Sequence, residues 1–163
     1  MKRTVIAYIC LLFMSIGYYG IILSYSAAPA SESSARSRGI TKKIVEIYDS
    51  VMMRKSTEKV KNERVISLHG FVRKCAHVYN FMVLAFAHIM LFFVAGNGNI
   101  RKAVLFTLIM GICAAVLDET LQLFVSGRAG QLKDVFIDFI GTCQGCIAFL
   151  VVKKLYINEG GVL

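Results

Sequence analysis

The chain alternates long apolar runs with short polar breaks. The runs are VIAYICLLFMSIGYYGIILSY at 5–25, CAHVYNFMVLAFAHIMLFFVAG at 75–96, AVLFTLIMGICAAVLDETLQLFV at 103–125 and VFIDFIGTCQGCIAFLVV at 135–152. Each approaches the roughly 20 residues that a helix needs to cross a hydrocarbon layer about 30 Å thick. NGNIRK, between the second and third runs, has the glycine and asparagine content of a tight turn. The pattern predicts an all-α fold: a polytopic membrane protein, a single domain over 1–163, with a bundle of about four transmembrane helices.

The loop 26–74 is the one sizeable stretch outside the spans. Its start, SESSARS at 31–37, reads as a polar linker. After it, Ile40, Ile44, Ile47, Tyr48, Val51 and Met52 recur at helical spacing, with Lys42, Lys43, Glu46 and Asp49 elsewhere on the wheel. An amphipathic helix over about 40–55 is expected. It either lies on the membrane, caps the bundle or packs as an ordinary surface helix.

Composition agrees with this class: 56% of the 163 residues are hydrophobic, above the 45–50% or so of soluble domains. The net charge of +9 does not point to nucleic acid, because no basic cluster is interleaved with aromatics. Basic residues flanking spans beside anionic headgroups explain it. Lys2 and Arg3 precede the first run, which favours both termini on the cytoplasmic side. Against that, 11 Lys or Arg lie between Ser26 and Lys74, so the charge rule leaves the orientation a lean. SAAPA, ending at Ala30, offers a signal-peptidase spacing. The first run is nevertheless longer than the roughly 7–15 apolar residues of a signal, so an uncleaved anchor is expected.

Polar residues within and beside the spans form a pattern. Lys74 and His77 open the second span, and Asp118, Glu119 and Gln122 lie late in the third. Arg128 follows it, Asp134 opens the fourth span and Asp138 lies one turn further. Consecutive spans run in opposite directions, so these residues gather toward one membrane face. A charge at the centre of a membrane helix costs roughly 2.5–3.5 kcal/mol on insertion scales, less toward its ends, so such residues mark function by default. Arg128 could also complement the end of the third helix and Asp134 cap the fourth, while His77, Asp118 and Glu119 could form a network that only fixes packing. Asp134, Asp138, Gly141 and Gly145 share one helical face, the glycines allowing a neighbouring helix to pack closely. His77, Phe81, Leu84 and His88 share a face of the second span by the same arithmetic.

Cys143 and Cys146 form C-x-x-C inside a predicted span, without the surroundings of a redox pair or a second pair for zinc. His77 with carboxylates is a usable ligand set, but no second histidine lies at its depth, so no metal and no cofactor are expected.

RKCAH at 73–77 followed by LDETLQLFVSGRAGQLKDVFIDFIGTCQG at 117–145 resembles the VanZ-like family of bacterial membrane proteins, whose namesake is associated with teicoplanin resistance. The resemblance is strongest over about 73–150. It marks Lys74, His77, Asp118, Glu119, Gln122, Arg128, Asp134, Asp138 and Gly141. Where such proteins commonly carry an acid and a tyrosine, Asn80 and Phe81 stand here, with Tyr79 about 100° away on the helix. The resemblance implies a multi-pass protein of the bacterial cell membrane but supplies no reaction. The residues fit an envelope protein that binds a lipid-linked cell-wall precursor or a lipoglycopeptide through the polar cluster and contributes to teicoplanin resistance. The alternative is a membrane-embedded acid/base hydrolase or transferase acting on a lipid-linked precursor, with Asp118 or Glu119 as base, His77 as acid and Arg128 stabilising an anion. A proton relay or transport role is a further reading.

Overall fold

The computed structural model describes residues 2–158, and side chains from 4 to 156. Five helices make up the described chain, with no strand: α1 (Lys2–Ser26), α2 (Ala30–Val51), α3 (Glu58–Ala95), α4 (Ile100–Leu123) and α5 (Leu132–Asn158). α1, α3, α4 and α5 are long and apolar enough to cross a membrane, and the chain is a multi-pass membrane protein. Their large apolar residues are widely exposed, Ile6, Phe13, Phe71, Leu117 and Phe136 among them, as lipid-facing side chains are.

Local chemistry sets the breaks. The turn at 96–99 uses the left-handed backbone at Asn97 (φ 50°) and Gly98 (φ 81°), and the Asn99 side chain then caps α4 by accepting the Lys102 backbone N–H at 3.1 Å. α2 starts ten residues before the amphipathic pattern suggested, at Ala30 and not 40, and it ends at Val51, short of 55. The SESSARS stretch is therefore helix rather than linker. Pro29 sets the entry, Glu32 lies in the first turn, and Glu32 pairs with Arg36 one turn on, so polar residues sustain the helix without any apolar periodicity.

α3 is the hub, packing against all four other helices. At 38 residues it is roughly 57 Å long, nearly twice a hydrocarbon thickness. Its charged first half, from Glu58 to Lys74, extends beyond the apolar window and pairs with α2. The second span thus continues a helix that begins 17 residues before position 75.

α2 turns a different face to α3 than its sequence suggests. Buried on it are Ser37, Thr41, Val45 and Asp49, a stripe of small and polar residues four apart. Ile40, Ile44, Ile47, Tyr48 and Val51 point outward and are exposed. α2 therefore packs on α3 by this small polar stripe and not by its apolar face. Small side chains let the helices approach, and the apolar stripe is left for another apolar medium.

The core lies between α3, α4 and α5. Phe81, Leu84, Ala114 and Ala115 with Ile22 of α1 form one buried cluster; Ile89, Ala103, Cys146 and Phe149 form another. Gly141 and Gly145 press on the α3 backbone at Val78 and Met82, where any Cβ would collide. His88 is buried on the same α3 face as Phe81 and Leu84.

Candidate functional site

Asp118, Glu119 and Gln122 come from the last turns of α4, and Asp138 from the second turn of α5; all four are buried. Gln122 Nε2 donates to Asp118 Oδ2 and to Glu119 Oε1, both at 3.0 Å. His77 reaches across from α3, its Nδ1 3.2 Å from Asp138 Oδ1. Glu119 Oε2 accepts the backbone N–H of Gln131 at 2.8 Å. These contacts leave three buried carboxylate oxygens of the cluster, Asp118 Oδ1, Asp134 Oδ1 and Asp138 Oδ2, without a hydrogen-bond partner. Buried carboxylate oxygens are costly when unmatched, so this is a site short of positive partners.

The loop from 124 to 131 folds back over the end of α4. Gly127, at φ 73°, makes the reversal, and a side chain at Gly130 would stand 2.5 Å from the Glu119 carbonyl oxygen. Ser126 accepts the Ala30 backbone N–H at 3.2 Å, tying the loop to the start of α2. Arg128 is thereby aimed at α1, and its Nη2 donates to the Tyr25 carbonyl at 3.1 Å. Burial and the Arg73 guanidinium lower the Arg128 pKa from its ordinary value, with Arg36 adding to the crowding of positive charge.

Two cavities open beside this centre. The larger, about 560 Å³, lies between α1, α2 and α3. Ile22, Ile40, Val72 and Phe81 line it on the apolar side, and Arg36, Lys43, Arg73 and Arg128 supply cations. The smaller, about 210 Å³, is polar, with Arg73, Lys74, His77, Gln122, Arg128 and Asp134 in its wall. His77, Arg73 and Arg128 border both. Among the described residues, Arg73 and Arg128 have no carboxylate within ion-pair distance.

The structure thus brings together the residues that the sequence marks: His77, Asp118, Glu119, Gln122 and Asp138 in one network, Lys74, Arg128 and Asp134 around the smaller cavity. Lys74 Nζ lies 4.0 Å from the buried Asp134 Oδ1, a loose contact beyond hydrogen-bond distance. It does not pair Arg128 with the α4 carboxylates; a backbone amide of the same loop takes that place. Arg73, Arg36 and Gln131 border the site without having been singled out. Arg73 is adjacent to Lys74, and on a helix only the packing of neighbours shows which of two adjacent cations faces a cavity. At the positions of the missing acid and tyrosine, Phe81 is core and Asn80 accepts the Tyr18 hydroxyl at 3.1 Å, so α1 supplies a phenol from another helix. All five cysteines are free, Cys146 being buried and Cys143 partly so.

A helical bundle with four helices long and apolar enough to cross a membrane, three of which bring buried or half-buried ionisable residues together, defines a polytopic membrane protein. The sequence pattern of the VanZ/LLP1 family matches residues 5–153, and the chain belongs to that family. No curated protein and no solved structure matches it.

Proposed function

We propose that the chain binds a lipid-linked anionic ligand in the larger cavity, phosphate against Arg73 and Arg128 and apolar chain along Ile22, Ile40 and Phe81. The observation that carries this reading is the pairing, in one groove, of an apolar wall with two guanidiniums, Arg73 and Arg128, that have no carboxylate within ion-pair distance among the described residues. Guanidinium forks suit phosphate oxygens, and a headgroup-sized anion relieves the mutual repulsion of Arg36, Arg73 and Arg128. A lipid-linked cell-wall precursor is such a ligand. Its retention here would connect the chain to glycopeptide tolerance, the property associated with the family's namesake.

Binding of a long-chain isoprenoid phosphate to the protein in nanodiscs, with the neutral isoprenoid alcohol as comparison, tests the reading. Arg73→Ala and Arg128→Ala each weaken phosphate binding about tenfold or more, as loss of a charge-assisted contact of roughly 1.5–3 kcal/mol requires. Equal binding of alcohol and phosphate refutes it.

A hydrolase or transferase reading rests on a separate observation: His77, bordering both cavities, is held by the buried Asp138, as a general acid/base is held by an orienting carboxylate. Release of inorganic phosphate from a lipid-linked diphosphate by wild type, but not by His77→Ala, distinguishes it from binding alone.

A further inference from the structure

We propose that His77, Asp118 and Asp138 form a binding site for one divalent first-row transition-metal cation. The three residues come from α3, α4 and α5, and one donor atom from each lies within 4.8 Å of the others. Atoms sharing one ion with bonds of about 2.1–2.2 Å stand up to about 4.4 Å apart, so closure takes a few tenths of an ångström. A second, independent observation points the same way. Asp118 and Asp138 are both fully buried, and each keeps one carboxylate oxygen that no hydrogen-bond donor reaches. A cation answers that deficit, whereas a network built only to fix helix packing would be expected to match its acceptors.

Donor chemistry selects the class of ion. One imidazole with two carboxylates is harder than the thiolate sets of copper(I) and softer than the all-oxygen sets of calcium and magnesium, which suits Mn²⁺ to Zn²⁺. Two carboxylates also balance a double positive charge. Three protein donors leave at least one coordination position open. His77 is the one of the three that borders the cavities. The absence of a second histidine, which argued against zinc in the sequence, is met by a carboxylate from each of two neighbouring helices.

The site does not depend on what fills the groove, and the test keeps the two apart. Protein in nanodiscs is stripped with a chelator, then titrated with Mn²⁺ while the signal of the free ion is followed by electron paramagnetic resonance. The expected result is one Mn²⁺ per chain, with affinity falling tenfold or more in Asp118→Asn and Asp138→Asn and staying within about threefold of wild type in Lys55→Ala, an exposed cation between α2 and α3. Because a substitution at a buried carboxylate can unfold the bundle, the wild type carries its own evidence: pulsed measurements on the bound Mn²⁺ should show coupling to an imidazole nitrogen. No stoichiometric binding of Mn²⁺, Co²⁺ or Zn²⁺ by wild type, or binding without nitrogen coupling, overturns the proposal. So does full affinity in both aspartate variants. Isoprenoid-phosphate binding is measured in chelator on the same preparation: if it holds there while the titrations find no stoichiometric metal, the cation site fails and the groove reading stands.

Discussion

Glu119 and Arg128 both stand among the residues that the family resemblance marks, and the structure gives them different work. Glu119 accepts one bond from Gln122 and one from the Gln131 backbone, so it anchors the loop that carries Arg128. Glu119→Gln cannot accept at both positions, and one donor is left facing another. We expect it to cost about 1–3 kcal/mol, seen as a lower melting temperature in detergent and lower membrane abundance. Arg128 makes one exposed bond to a carbonyl, so Arg128→Ala should melt within about 1 kcal/mol of wild type while losing anionic-ligand binding. Wild-type stability of Glu119→Gln would refute the anchor, and a large stability loss in Arg128→Ala would show that the arginine serves the fold.

Two contacts between elements set where the site residues stand. The face of α5 that carries Asp138 also carries Gly141 and Gly145, so the closeness of α3 and α5 at the glycines places His77 beside Asp138. Gly145→Leu drives a side chain into the Met82 backbone. A loss of about 1–3 kcal/mol is expected from overpacking, with loss of site function even where protein accumulates. The other contact joins α2 to α3: Arg64 Nη1 donates to Asp49 Oδ1 at 2.8 Å. Burial raises the Asp49 pKa, but hydrogen bonds from Ser56 and Arg64 and the charges of Arg64 and Lys61 outweigh it, leaving the value below the ordinary 3.8. A lowered folded-state pKa contributes stability that is complete above the unfolded value and lost as pH falls through the folded one. Hydrogen exchange at the α2–α3 contact should therefore quicken only below about pH 4. In Asp49→Asn that pH dependence should vanish; an unchanged pH profile would remove Asp49 from the contact.

For the whole molecule, sidedness is a prediction from charge: Lys2 and Arg3 beside the first span predict cytoplasmic termini, which would put α2, the 124–131 loop and both cavities on the outer side. Ala35 is exposed on α2; a cysteine there, in a background without the native five, should react with an impermeant maleimide in intact cells. Labelling only after permeabilisation reverses the orientation and puts the site on the cytoplasmic face. α1 belongs to the assembly: Ile22 is in the core, and the Tyr19 hydroxyl donates to the Ala114 carbonyl at 3.0 Å. Mass spectrometry should find the chain intact through Ala30, and a mature chain beginning at Ser31 would remove one wall of the larger cavity.

The sequence by itself determined the class and pointed to most of the residues that the structure brings together. Apolar run length is a property of consecutive residues, and so is the cost that makes Asp118, Glu119 and Asp138 conspicuous inside such runs. Residues near the ends of antiparallel spans also share a membrane face whatever the details of packing, which is why His77 could be grouped with residues 61 positions away. The tertiary structure alone decided three things. α2 buries its small polar stripe and exposes its isoleucines, because in a membrane protein the apolar face has a medium to enter and close packing favours small side chains. Arg128 turns toward Tyr25 and leaves Glu119 to a backbone amide, an outcome of loop reversal at Gly127 that no residue pattern encodes. And the imidazole and two carboxylates meet within 4.8 Å because three helices cross at fixed distances, a relation that exists only once the glycine faces have packed.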